Sequence, residues 1–233
     1  MSQPTKLFWT GVRAGIPLLI GVIPFGMIYG VLALDAGLGP APAQMMSSIV
    51  FAGSAQFITA GLVREAAPGL IIVLTIAVVN LRHMLYSASI APYVRSLPMR
   101  WKVLLSYLLT DEAYATTILH YEQEETPANG HWFFLGAGTA LWTTWQLSTA
   151  VGILLGATLP ESWPLDFALP LTFIAIVVPA LKDRPAVAAA CSAGLAALLA
   201  FGLPYKLGLM AAGLLGIAVG AFLEGRKSPR GTR

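Results

Sequence analysis

The sequence predicts an all-α integral membrane protein, a polytopic helical bundle with broken or re-entrant helices. Three observations predict it. Hydrophobic residues are 57% of the 233 and charged residues 11%, with mean hydropathy +0.74. A soluble domain carries about 25% charged residues, so this chain lacks the charge to cover a globular surface in water. Apolar stretches of membrane length recur along it, each near the ~20 residues a spanning helix needs. They lack the period-2 alternation of a barrel strand. Finally, proline, glycine and ionisable residues interrupt the interior of several stretches, where they break helices or mark polar sites.

Eight segments span or nearly span: 16–34, 42–63, 68–92, 103–119, 132–158, 165–181, 186–203 and 205–223. The first follows Lys6 and Arg13, which imitates a signal peptide. It is long enough to cross, and no small-x-small cleavage site precedes Asp35, so it is expected to stay. A Gly/Pro loop at 35–42 ends it. Arg64-Glu65 divides the second and third segments. A basic loop, 95–102, divides the third and fourth. An acidic loop with Glu122, Glu124 and Glu125 divides the fourth and fifth. Lys182-Asp183-Arg184-Pro185 closes the sixth, and Gly202-Leu203-Pro204 turns between the last two.

Two topologies place both termini inside. If all eight segments cross, Arg95, Arg100 and Lys102 fall outside and the acidic loop inside, against the positive-inside tendency. If segments two and five are re-entrant, the basic loop, Lys182, Arg184 and the tail become cytoplasmic and only Lys206 is misplaced. Segment two contains a suitable turn, Ala52-Gly53-Ser54-Ala55. A weak repeat relates Gln56 to Gln146, 90 residues apart. It suggests units 13–94 and 100–184 with helices 186–223 appended, inverted if each unit crosses three times and parallel otherwise. The whole chain, 1–233, reads as one transporter domain.

The net charge of +3 is no nucleic-acid signal. The basic residues lie mostly in loops and in the tail Arg226-Lys227-Ser228-Pro229-Arg230, where topology and anionic lipid account for them. The single cysteine, Cys191, excludes an intramolecular disulfide. His, Cys and Met show no metal-ligand spacing, and no cofactor motif is present.

The polar groups inside apolar segments are the candidate site. Ionisable groups in hydrocarbon cost about 2.5–3.5 kcal/mol each on insertion scales and persist mainly for function. In segment one, Pro24-Phe25-Gly26 either frees carbonyls for an ammonium group or ion, or kinks the helix while Gly26 and Gly30 pack closely. In segment two, Gly53, Ser54 and Gln56 either let substrate approach the backbone or glue helices together. In segment three, Asn80, His83 and Ser87 share one helical face, and Arg82, Tyr86 and Ser89 the adjoining one. Arg82 suits bidentate carboxylate binding, and His83 can change charge near neutral pH. Snorkelling is the plainer reading of Arg82, but it lies ~15 Å from the segment end near Pro92. In segment four, Thr110-Asp111-Glu112 offers one carboxylate to neutralise Arg82 or His83. The other would carry a proton or meet an ammonium. A purely structural ion pair is the alternative. Trp142, Trp145 and Gln146 in segment five line a pocket or anchor an interface.

The blocks Phe51-Ala52-Gly53-Ser54-Ala55-Gln56-Phe57, Asn80-Leu81-Arg82-His83-Met84-Leu85-Tyr86-Ser87 and Thr110-Asp111-Glu112 resemble the AzlC family of bacterial membrane proteins. So do Asp166-Phe167-Ala168-Leu169-Pro170 and Pro179-Ala180-Leu181-Lys182-Asp183. The resemblance implies export of branched-chain amino acids, with methionine in some relatives, and a separately encoded small membrane partner of the AzlD type. It assigns no substrate-contacting residues. The expectation is therefore a secondary transporter subunit of the bacterial inner membrane, multi-pass, with cytoplasmic termini. Without a P-loop, the proton gradient would supply energy. Arg82 would hold the substrate carboxylate, and Asp111 or Glu112 an ammonium or proton. Phe25, Phe57 and Trp145 would accommodate the side chain. An intramembrane enzyme using Ser54, Ser87 and His83 finds no second motif. A scaffold or channel subunit with structural charges is the other alternative.

Overall fold

Helix α1 (Gln3–Asp35) runs for 33 residues, about 50 Å. The computed structural model of which it is part describes residues 2–123, 129–157, 181, 183–203 and 207–227. Segment six, but for Leu181, lies outside them, as do Glu124, Glu125, Lys182, Lys206 and the tail beyond 227. Among the described residues the chain is helical throughout. Residues 3–35, 69–94 and 207–225 are long and apolar enough to cross a membrane. The protein is an all-α membrane protein.

The chain divides into two compact units. The first comprises residues 1–64 and 79–163. Its spine is α1 against α8 (Gly130–Gly156). Glycines let the two backbones touch. A Cβ on Gly136 would lie 2.0 Å from the Phe8 carbonyl oxygen, one on Gly11 2.0 Å from that of Phe133, and one on Gly152 2.1 Å from that of Met27. Partners rise together along both chains, from Phe8 with Gly136 to Val31 with Gly156, so the two helices are parallel. Without Cβ atoms, dispersion contacts extend along both backbones.

α1 ends at Gly37, whose φ of +86° is the left-handed conformation glycine adopts without strain. The Gly37 N–H meets the Leu34 carbonyl and the Leu38 N–H that of Ala33, a Schellman turn. The chain reverses into α2 (Pro40–Ile49), breaks at residues 50–52 and continues as α3 (Gly53–Arg64). Tyr29 donates to the Ala43 carbonyl at 2.9 Å, and Ser47 meets Thr149 at 3.0 Å. α2 thus descends beside α1 and α8. α3 then returns. The Phe25 and Phe57 rings are 4.6 Å apart, and Arg64 reaches Asp35 at 3.0 Å. Segment two therefore begins and ends beside the C-terminus of α1.

A second pair mirrors the first from the opposite end. α5 (Leu81–Val94) leads to α6 (Met99–Tyr107). α6 starts beside the first turn of α8, with the Trp101 ring 4.6 Å from His131. It climbs to Tyr107, which accepts from Trp142 Nε1 at 2.7 Å. After a break at residues 108–110, α7 (Asp111–Gln123) turns back, and His120 stacks 3.9 Å from Phe133 near the start of α8. The pairs are alike in form, 10 and 12 residues against 9 and 13.

Two expectations change, and an open one is decided. Segment five, left open between crossing and re-entry, is one continuous helix of 27 residues; its glycines serve α1. Segment four, counted as a crossing, is the second returning pair. Segment one does not break at Pro24, because α1 continues through it. Pro24 is exposed while Gly26, ~200° round the helix, faces Ser148. The proline thus lies on the side away from α8.

The second unit comprises residues 65–78 and 164–233. In it α4 (Gly69–Val79) donates from Thr75 to the Met210 sulfur at 3.3 Å. α9 (Arg184–Leu199) and α10 (Leu207–Lys227) pair antiparallel through Gly208 at Ala200 and Gly216 at Ala193. Asp183 caps α9 by accepting from the Ala186 N–H at 2.9 Å. Segments seven and eight are this antiparallel pair.

Candidate functional site

Three helices begin near the middle of the first unit, and their first turns are joined by one side chain. α3 starts at Gly53, α5 at Leu81 after Asn80, and α7 at Asp111. Each first turn leaves backbone N–H groups without intrahelical acceptors, and each carries the positive end of a helix dipole. Arg82, in the first turn of α5, donates from Nη2 to Ser54 Oγ at 2.6 Å. Its Nη1 is ion-paired with Asp111 Oδ2. One guanidinium therefore ties the start of the returning half of one pair to that of the other.

The start of α7 follows from its residues. Thr110 Oγ1 accepts from the Ala113 N–H at 3.3 Å, an N-cap. Asp111 and Glu112 fill the first turn, where negative charge offsets the dipole. Adjacent residues on a helix point ~100° apart, so Asp111 alone takes the ion pair and Glu112 is directed elsewhere. The Arg82–Asp111 pair is not sealed; the side chains are 29% and 42% exposed. Two buried atoms have no hydrogen-bond partner among the described residues, the Nε donor of Arg82 itself and the Oδ1 acceptor of Asn80, two residues earlier in the chain. An unmet donor and acceptor in a buried setting cost about 1–3 kcal/mol each unless something fills them.

The face of α5 that carries Arg82 continues along α7. Tyr86 stacks on Tyr114 at 4.6 Å, and Ser89 accepts from the Tyr114 hydroxyl at 3.1 Å. The grouping of Arg82, Tyr86 and Ser89 expected from spacing is the face that packs. Ser87 is exposed. His83 is half-buried, its Nδ1 3.3 Å from the Asn80 carbonyl.

A second polar network lies on the α2 side. Gln146 Oε1 accepts from Gln44 Nε2 and Ser48 Oγ, both at 2.9 Å, and its Nε2 donates to the Ser47 carbonyl at 3.0 Å. Gln56 donates to the Val50 carbonyl and accepts from Trp145 Nε1 at 3.2 Å. These amides satisfy carbonyls released where α2 ends, so Gln56 and Gln146 bind the break rather than Arg82. The space beside Gly53 is taken by an indole: a Cβ there would lie 2.9 Å from Trp145. Gly53 therefore lets the Trp145 ring approach its backbone. Phe25, Tyr29, Phe57 and Trp145 form one aromatic cluster with centroids 4.6–6.3 Å apart. Of the residues singled out by sequence, Ser54, Arg82 and Asp111 meet at one point, and Asn80 precedes the helix that carries Arg82. Pro24, Gly26, Gly53, Gln56 and Gln146 do not.

Residues 17–159 match the family described as AzlC protein. The chain belongs to the AzlC family. It is 32% identical to an uncharacterized membrane protein of Archaeoglobus fulgidus, over 95% of each chain. It is 26% identical to the inner membrane protein YgaZ of Escherichia coli, over 94% of this chain and 92% of that one. The branched-chain amino acid transport protein AzlC of Bacillus subtilis is 26% identical, over 86% of this chain and 80% of its own. No solved structure matches. The AzlC match takes in the whole Arg82 junction.

The sequence reading missed Gln44, Tyr107 and Tyr114. Tyr107 ends α6, and its hydroxyl donates to the Ser48 carbonyl at the end of α2, tying the two tips together. A signal existed in Thr110-Asp111-Glu112, which is a helix-start pattern in the middle of an apolar stretch. A break there requires a partner for the carbonyls and hydroxyls at its edge. Tyr107→Phe removes both bonds of the hydroxyl and is expected to lower thermal stability by about 1–2 kcal/mol, read as a fall in the unfolding midpoint.

Proposed function

We propose that this chain is the large subunit of a secondary transporter that exports branched-chain amino acids, coupled to protons, with a small AzlD-type membrane subunit as partner. The observation that carries the reading is the Arg82 junction. An amino acid zwitterion needs a carboxylate partner and an ammonium partner a few ångströms apart. Arg82, with its unmet Nε, and three converging helix N-termini supply the first. Asp111 and the unmet Asn80 oxygen supply the second. A substrate carboxylate competes with Asp111 for the guanidinium, and the displaced Asp111 then takes the ammonium or a proton. His83 and Glu112 stand next in sequence to these two residues and complete the proton path. Tyr86 lies one helical turn from Arg82 and is stacked on Tyr114. The cluster of Phe25, Phe57 and Trp145 begins one helical turn from Ser54 and faces a branched apolar side chain. The transport named for the Bacillus subtilis relative supports this choice of cargo.

In this reading both returning pairs are re-entrant, one from each face of the bacterial inner membrane, and backbone breaks are tolerated there because protein surrounds them. The N-terminus is cytoplasmic. Lys6, Arg13, Arg95, Arg100 and Lys102 then share the cytoplasmic side, whereas Arg64 at the other end is paired with Asp35, in keeping with the positive-inside tendency. With Cys191 replaced, a cysteine at position 102 is expected to react with an impermeant maleimide only from the cytoplasmic side, and one at 65 only from outside. The reverse pattern would invert the orientation.

The functional test uses proteoliposomes holding the chain and its partner, loaded with leucine or valine. Efflux is expected to accelerate when a pH gradient is imposed and to be inhibited by unlabelled branched-chain amino acids. Efflux indifferent to the gradient ends the coupling claim.

A further inference from the structure

Helix α1 is longer than a bilayer requires. Its ~50 Å exceed the ~30 Å hydrocarbon thickness by several turns, and the excess lies before Ile16. There Lys6, Trp9, Thr10 and Arg13 line an open cavity of about 470 Å³. Their i, i+3, i+4, i+7 spacing puts them on one face, and all four are exposed. The neighbouring face, with Phe8 and Gly11, is occupied by α8. Among the described residues neither Lys6 nor Arg13 has a carboxylate partner. Thr10 Oγ1 donates to the Lys6 carbonyl at 2.9 Å. Trp9 is held edge-on to Phe8 at 5.6 Å, so its indole is placed rather than loose.

The same face continues down the helix as Ile16, Ile20 and Ile23, which are 51%, 78% and 45% exposed. One stripe therefore reads, in order, cation, indole, cation and three isoleucines. The stripe thus offers two cations at its polar end, where a lipid phosphate lies, an indole between them at the level tryptophan prefers in membrane interfaces, and an apolar end for an acyl chain. A free phosphate would use the cations and leave the isoleucines unexplained. We infer that this stripe binds an anionic glycerophospholipid, its phosphate held between Lys6 and Arg13, its glycerol region against Trp9 and an acyl chain along Ile16, Ile20 and Ile23. The inference needs only that the chain is a membrane protein, and it stands whether or not the transport reading holds.

The test is native mass spectrometry of the full-length protein in detergent, titrated with phosphatidylglycerol, phosphatidylethanolamine or inorganic phosphate. Phosphatidylglycerol is expected to be retained over phosphatidylethanolamine, and millimolar phosphate is expected not to displace it. Lys6→Gln with Arg13→Gln is expected to weaken phosphatidylglycerol binding by roughly 30-fold, about fivefold for each basic residue at an anionic surface. The charge-preserving pair Lys6→Arg with Arg13→Lys should bind as the parent does, as should Arg100→Gln with Lys102→Gln. Equal binding by the double glutamine variant overturns the site. Displacement by phosphate assigns a simple anion site and overturns the lipid.

Discussion

Arg82→Ala is expected to reduce amino acid counterflow at least ~100-fold, the loss of two charge-assisted bonds to a carboxylate at about 1.5–3 kcal/mol each. The variant also leaves Asp111 without its counter-charge and Ser54 without its donor. Both ions are partly exposed, so the folding cost stays near 1–2 kcal/mol, below the range for fully buried pairs. Arg82→Lys separates the two effects. It retains a charge beside Asp111 but loses the planar fork that reaches Ser54 and Asp111 together. It should fold like the parent and transport poorly. Thermal unfolding and uptake measured on the same preparations distinguish a lost site from a lost fold.

Gly152→Ala is expected to be among the most damaging single-methyl changes in the spine. Its Cβ would lie 2.1 Å from the Met27 carbonyl oxygen and 2.8 Å from the Met27 Cα. Backbone, not a flexible side-chain tip, is in the way. α1 and α8 would have to separate by more than an ångström, lifting Tyr29 and Trp145 from their contacts. Overpacking a core costs typically 1–3 kcal/mol, occasionally more, and a clash with backbone that cannot repack belongs at or above the top of that range. The expected result is loss of folded protein in detergent by size-exclusion chromatography. Gly21→Ala, at a position with nothing within 4 Å, should behave as the parent.

Composition and apolar length were enough to read the helical membrane class and most of the element boundaries. Spacing alone placed Arg82, Tyr86 and Ser89 on one face. The opposition of Arg82 to the Asp111-Glu112 pair was also visible, because unlike charges in apolar segments must find each other or a cavity. Which carboxylate answers Arg82 was not legible. That depends on where α7 starts, and Thr110 decides it by capping the helix one residue before Asp111. The course of segment four was misread, and that of segment five left open, for a related reason. Apolar length does not distinguish a helix that crosses from a bent pair of half that depth. Residues 108–110 contain neither glycine nor proline to announce a break. Gln56 and Gln146 looked like site residues because amides in apolar segments are costly. They answer carbonyls released at the end of α2, a demand that exists only once the break at residues 50–52 is known. At Pro24, of the two readings offered, close packing through Gly26 and Gly30 is the one α1 shows, because the proline lies on the side away from α8 and leaves the glycine face intact.

The central claim is that Arg82 faces the cargo and does not merely face Asp111. The most direct measurement is leucine counterflow by the charge-swapped chain, Arg82→Asp with Asp111→Arg, reconstituted with its partner and compared with the parent and with each single variant. A substrate site has a required polarity, set by three helix N-termini that favour a carboxylate at this point. The swap is therefore predicted to fold like the parent yet remain as inactive as the single variants. Full counterflow restored by the swap would contradict the account and leave the pair a structural clasp.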